Sequence, residues 1–153
     1  GSSGVKGRSG ARAEVGGAGR GSREEAPGAA GEGSGAEAGL AIERALAGGI
    51  SPIAIARAFL NHLQRLRRVR ATMADGQSRT EAIKTLKPPV FFKRTAGFNR
   101  ALDLWPLPAL GQALQETQAL ELACKQTGAP DQLLCKRYVA TLCAKAARAA
   151  KRY

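Results

Sequence analysis

The stretch from Ser51 to Gly76 limits what this chain can fold into more than any other. Its apolar residues are Ala56, Phe59, Leu63, Leu66, Val69 and Met73, at steps of 3, 4, 3, 3 and 4. That spacing is one face of an α-helix. Ser51 is placed to cap the helix and Pro52 to occupy its first position, where no amide donor is needed. Gly76 is a good stop, because a helix often ends on a residue in the left-handed region. A helix with one long apolar face is stable only when other elements cover that face.

The covering elements read as helices too. A short one runs from Leu40 to Ala47 and stops at Gly48-Gly49. Ser78-Arg79-Thr80-Glu81 is a capping-box pattern that starts a helix through Leu86. Pro88-Pro89 must end it, since neither proline donates an amide and Lys87 is pushed out of the helical region. Val90 to Leu104 is the next helix, weakened by Gly97. Trp105-Pro106-Leu107-Pro108 is a joint. Pro108 then opens a helix to Thr127, with Leu110, Ala113, Thr117, Leu120 and Cys124 as its stripe, Leu107 and Leu114 alongside, and Gly128 as its stop. Pro130 and Asp131 open the last helix, whose buried side is expected to be Leu134, Tyr138, Leu142, Ala146 and Ala149. Nothing alternates with period two over a useful length, so the expected fold is all-α, a bundle of five to six helices.

Residues 1–39 differ from the rest. They hold 13 of the 19 glycines, and only Val5 and Val15 are sizeable apolar side chains. So little apolar surface does not offset chain entropy, and the segment is expected to be a disordered Gly/Ala/Arg/Glu-rich linker. Gly1-Ser2-Ser3-Gly4, with no initiator Met, reads as a scar or a fragment boundary. An Arg/Gly nucleic-acid tail is the alternative, but its five basic residues are matched by Glu14, Glu24, Glu25, Glu32 and Glu37. The whole net charge of +12 therefore falls in residues 40–153, with 19 basic and seven acidic residues. These residues are expected to form one domain.

No stretch approaches the roughly 18 uncharged apolar residues of a membrane helix. Cys124, Cys135 and Cys143 are an odd number at spacings of 11 and 8. That argues against a disulfide framework and for a reducing cytoplasm. His62 is the only histidine, and it lies among arginines as a boundary residue. With no Cys-x-x-Cys and no glycine-rich phosphate loop, no cofactor, metal or catalytic constellation is expected. The cysteines read as small core residues. The basic surplus points to an anionic partner, either nucleic acid or an acidic protein face. Arg65, Arg67, Arg68 and Arg70 crowd one helix, and Arg57, Asn61, Arg65 and Arg68 share one of its faces. Lys84, Lys87, Lys93 and Arg94 bracket the double proline, and Lys145, Arg148, Lys151 and Arg152 close the chain. Phe91, Phe92, Phe98 and Trp105 flank helix joints, which suits packing better than base stacking.

The string Leu86-Lys87-Pro88-Pro89-Val90-Phe91-Phe92-Lys93-Arg94, with Phe98 and Leu104-Trp105 after it, resembles a known family. So do Leu120-Glu121-Leu122-Ala123-Cys124-Lys125-Gln126-Thr127-Gly128-Ala129-Pro130, the opening Gly48-Gly49-Ile50-Ser51-Pro52 and the helix around Leu63, Leu66 and Arg68. Together, over roughly residues 40–150, they look like the C-terminal collar domain of the delta subunit of the bacterial DNA polymerase III clamp loader, in its alphaproteobacterial form. Pro88, Pro89, Phe91, Phe92, Trp105, Lys125 and Gly128 are the signature positions.

The resemblance implies a role in DNA replication. Collar domains of this family join the loader subunits into a ring that holds the assembly over primer–template DNA. The delta subunit does not hydrolyse ATP, so the resemblance places the chain in a nucleotidyltransferase complex without giving it an active site. The family's clamp-opening module precedes the collar, and residues 1–39 do not resemble it, so contact with the sliding clamp is not expected here. The partners expected are other loader subunits and, through them, DNA. Arg65, Arg68, Lys93 and Arg94 are assigned to phosphate-facing or partner-facing duty. Ile53, Leu60, Leu102, Leu133 and Val139 are candidates for apolar surface left for neighbours. The alternative is a stand-alone basic helical nucleic-acid-binding protein.

Overall fold

The computed structural model describes residues 27–31 and 35–151, and every regular element among them is a helix. In chain order these are residues 27–31 (α1), Gly35–Ala47 (α2), Pro52–Ala74 (α3), Arg79–Lys84 (α4), a 3₁₀ turn at Phe92–Arg94, Thr95–Leu104 (α5), Leu107–Cys124 (α6) and Asp131–Lys151 (α7). The described residues thus carry seven α-helical segments, one more than the sequence suggested.

The caps lie where the residues demanded them. The Ser51 Oγ accepts the Ala54 amide at 3.1 Å, and the Ser78 Oγ accepts the Glu81 amide at 3.2 Å. Each satisfies an amide that the first helical turn leaves without an intrahelical partner. Gly76 and Gly128, which follow α3 and α6, have φ of 106° and 78°. Both values lie in the left-handed region that a Cβ makes costly. The Lys87–Pro88 peptide is cis.

The apolar stripe of α3 is the centre of the core. Ala56, Phe59, Leu63, Leu66 and Val69 are all wholly buried, while Met73 is only partly covered. The stripe lies along α6, which buries Leu110, Ala113, Leu114, Thr117, Leu120 and Cys124 against it. α7 closes the third side and packs on α2, α3 and α6. The Phe59 ring meets the Tyr138 ring edge-on, with centroids 5.3 Å apart and planes at 86°. Thr117 is the one wholly buried polar side chain among the described residues. Its hydroxyl donates to the Ala113 carbonyl at 2.7 Å, so its lone pair is left to receive the Tyr138 hydroxyl.

Several expectations from sequence need correction. Residues 27–31 are helical and buried, and α2 begins at Gly35 rather than Leu40, so the boundary at residue 39 does not hold; residues 1–26 and 32–34 lie outside the described residues. Here small residues do the packing, with Ala29, Ala30, Ala38 and Ala41 almost fully buried. The inward face of α7 is Cys135, Val139, Leu142, Cys143 and Ala146; Leu134 and Tyr138 are partly buried. The face is turned because α2, longer than expected, covers the Val139–Cys143 side: a Cβ at Gly35 would lie 3.9 Å from that of Cys143. α6 ends at Cys124 instead of Thr127. α5 begins at Thr95 instead of Val90, since Val90 and Phe91 are still in the extended exit from the double proline.

Replacing Thr117 with Val is expected to cost about 1–3 kcal/mol, because the buried Tyr138 hydroxyl loses its acceptor. Adding Tyr138→Phe to that variant should recover part of the loss. Urea denaturation of both single variants and the double variant reads the coupling, and strict additivity would show that the two hydroxyls do not interact.

Candidate nucleic-acid and partner interface

The double proline presents the basic and aromatic residues that follow it. The chain leaves α4 at Thr85, buries Leu86, and runs exposed from Lys87 to Pro89. Arg65 reaches from α3 and donates from Nη1 to the Pro88 carbonyl at 2.6 Å. That charge-assisted bond pins the segment to the helix beneath it. The 3₁₀ turn then lifts Phe91 and Phe92 outward. Phe92 is 74% exposed and Phe91 is 37% exposed. Their rings touch edge-on with centroids 5.1 Å apart, and the Lys93 Nζ lies 5.9 Å from the Phe92 centroid. A cation at that range is attracted by the ring's quadrupole. The expectation that both phenylalanines belong to the core is therefore wrong. The ring taken into the core is Phe98, one turn into α5, at 5% exposure.

The four basic residues assigned to contact duty fare differently. Arg65 and Arg94 come together about His62, whose ring lies 6.0 Å from that of Phe98. Lys93 is exposed on Phe92, and Arg68 is exposed one turn along α3 from Arg65. Arg57, on the same face by sequence, is committed to Glu121 at 3.2 Å. Lys125 reaches the same carboxylate at 3.1 Å, as an i, i+4 pair. The hydrogen bonds from Lys125 and Arg57 hold the Glu121 carboxyl below its ordinary range. Trp105 is buried, and its indole N–H donates to the Gly31 carbonyl at 3.0 Å.

His62 is half-buried as a residue, but its Nε2 is sealed from solvent and has no hydrogen-bond partner. Burial, reinforced by the Arg65 and Arg94 guanidiniums, lowers its pKa from 6.5 to about 4. The ring is therefore neutral at pH 7.

Some surface features were not read from sequence. Gln64, Arg67, Gln112, Gln115 and Gln118 line an open groove of about 530 Å³ between α3 and α6. Helical periodicity finds apolar faces, so a polar groove between two such faces gives no signal. Leu122 and Leu133, on either side of the α6–α7 turn, are 63% and 54% exposed, and Leu40 is 52% exposed. Of the apolar residues expected to be left for neighbours, Leu133 is exposed and Ile53 and Leu60 are partly so. Leu102 and Val139 are used up in the domain's own core. Among the described residues no group of His, Cys, Asp and Glu could hold a metal ion, and no helix is long and apolar enough to cross a membrane. Comparison with known protein families, characterised proteins and solved structures finds no match to this chain.

The lone histidine makes its environment directly measurable. Its ring protons should titrate in NMR with a midpoint near 4, not 6.5. Because the fold favours the neutral ring, this group's contribution is complete above pH 6.5 and is lost as the pH falls toward 4. His62→Leu should flatten that part of the stability profile. Phe92→Ala should change stability by less than about 0.5 kcal/mol in a urea titration. Phe98→Ala, by contrast, should cost about 3–5 kcal/mol.

Proposed function

We propose that this chain acts in DNA replication as the C-terminal assembly domain of a DNA polymerase III delta subunit. In this reading it works in the cytoplasm and joins other clamp-loader subunits into the complex that places the sliding clamp on primed DNA. Its contribution is structural, and the nucleotidyltransferase chemistry belongs to the rest of that assembly. The observation that carries the reading is the exposure of Phe91, Phe92 and Lys93, within the very string on which the family resemblance rests. Exposed aromatic side chains next to cations on a pinned segment suit an interface anchor. The bare Leu122 and Leu133 add apolar surface at the α6–α7 turn. Arg67, Arg68, Lys87 and Lys93, all exposed, leave positive charge for DNA held by the whole assembly.

One observation favours a second reading. Phe92 under Lys93 also suits a stacked base, which is what a stand-alone basic nucleic-acid binder would use.

Size-exclusion chromatography with light scattering separates the two. The full chain, mixed with the other clamp-loader subunits of an alphaproteobacterium, is expected to elute in a stable mixed complex, and Phe92→Ala with Lys93→Ala should weaken it. The collar reading fails if the chain stays alone. The second reading gains if that lone chain shifts a DNA duplex, with log K falling roughly 0.9 per phosphate contact per decade of salt.

A further inference from the structure

Residues 27–31 read Pro-Gly-Ala-Ala-Gly, with no charged side chain and no side-chain donor or acceptor. All five are buried. Gly31 lies against His62 and Ala101: a side chain there would begin 3.4 Å from the His62 Nε2 and 3.6 Å from the Ala101 Cβ. Gly28 lies against Arg94, where a Cβ would meet Nη1 at 3.6 Å. The indole N–H of Trp105 ties the end of the segment through the Gly31 carbonyl. The seat under these five residues is therefore made of a histidine, an arginine, an indole and an apolar floor.

The occupant does not match this seat. It shuts water away from the His62 Nε2 and gives that nitrogen no partner in return. Buried polar atoms in folded proteins are overwhelmingly paired, so an unpaired one marks a place where something else fits. Among the described residues, Arg94 from the 3₁₀ turn and Arg65 from α3 put positive charge on the ring, Arg65 while its Nη1 holds the Pro88 carbonyl, and residues 27–31 carry no charged side chain. A guanidinium and an imidazole under one cover, Arg94 and His62, are a donor set for a tetrahedral oxyanion. One oxygen takes the imidazole proton donor and others take the planar guanidinium fork.

We propose that residues 27–31 are a displaceable strap over a phosphate-binding pocket made by His62 and Arg94, with Trp105 as its wall. The phosphate is either a free phosphate group or one in a nucleic-acid backbone. The strap competes with it, since its small residues bury little apolar surface and leave the imidazole unserved. The pocket stands on its own residues and does not depend on the assembly reading above.

The chain carries its own reporters. His62 is its only histidine and Trp105 its only tryptophan, and both touch the strap. Inorganic phosphate titrated into the full chain at pH 7 should move the His62 ring resonance and the Trp105 emission together, weakly and saturably. Gly31→Leu, whose Cβ would already touch His62 and Ala101 and whose branch must push the strap outward, should tighten that binding about tenfold or more, because an open strap raises the fraction of competent chain. Arg94→Gln, with helicity checked by circular dichroism, should abolish the response and serves as the test if Gly31→Leu does not fold. A short DNA duplex that gives the same shifts identifies backbone phosphate as the ligand; a response to inorganic phosphate alone identifies a free phosphate group. The proposal is overturned if Arg94→Gln binds phosphate like the parent chain. It is also overturned if a folded Gly31→Leu frees the histidine without tightening the binding.

Discussion

Everything in this fold follows from covering one face of one helix. α3 presents five wholly buried apolar side chains over nearly four turns. At about 25 cal/mol per Å² of apolar area, leaving such a stripe wet costs more than the whole net stability of an ordinary domain. α6 takes the long contact, α7 the remaining side, and the shorter helices fill the ends. Thr117, wholly buried, sits where α6 meets α7, with its hydroxyl bonded on both sides. It adds direction to the core, as does the Trp105 indole through its bond to the Gly31 carbonyl.

The arginines do more than raise the net charge. Four of them act as ties between elements. Arg57 joins α3 to α6 through Glu121, and Arg65 holds the Pro88 carbonyl. Arg70 donates to the Trp105 carbonyl at 3.1 Å, and Arg79 links α4 to Asp103 of α5 at 2.6 Å. The guanidinium suits this work, because its planar fork reaches a carbonyl or a carboxylate while its stem covers apolar surface. A charge count from sequence cannot separate such ties from outward cations. Exposed cations lie on α3 at Arg67 and Arg68, around the double proline at Lys87 and Lys93, and on α7 at Arg137, Arg148 and Lys151.

The helical class, the α3 stripe, the α6 stripe and both serine caps were legible because each rests on local geometry, either a period or a fixed offset. What failed rests on distance in space. Residues 27–31 and 35–38 looked too poor in apolar residues to fold, yet alanine and glycine pack well when another backbone lies close. On α7, Leu142 and Ala146 are buried as expected, but Cys135 and Val139 take the inward places expected for Leu134 and Tyr138, because which of two adjacent stripes turns inward depends on where α2 lies. Phe91 and Phe92 read as core because phenylalanine usually is, and only the path out of the double proline decides otherwise. The sealed nitrogen of His62 gave no sequence signal at all, since its lid is more than 30 residues away in the chain.

The three cysteines, all buried, have a consequence for how the chain can be observed. Burial raises the Cys124 and Cys143 thiols above their ordinary range and pushes Cys135 up to about 12. The reactive thiolate is therefore scarce at neutral pH, and Cys135, wholly buried, is the one least open to alkylation in the closed state. Labelling of Cys135 must then wait for α7 to open, and its rate becomes a clock for that opening. The chain thus holds a built-in gauge of its own breathing, sited on the two helices that complete its core.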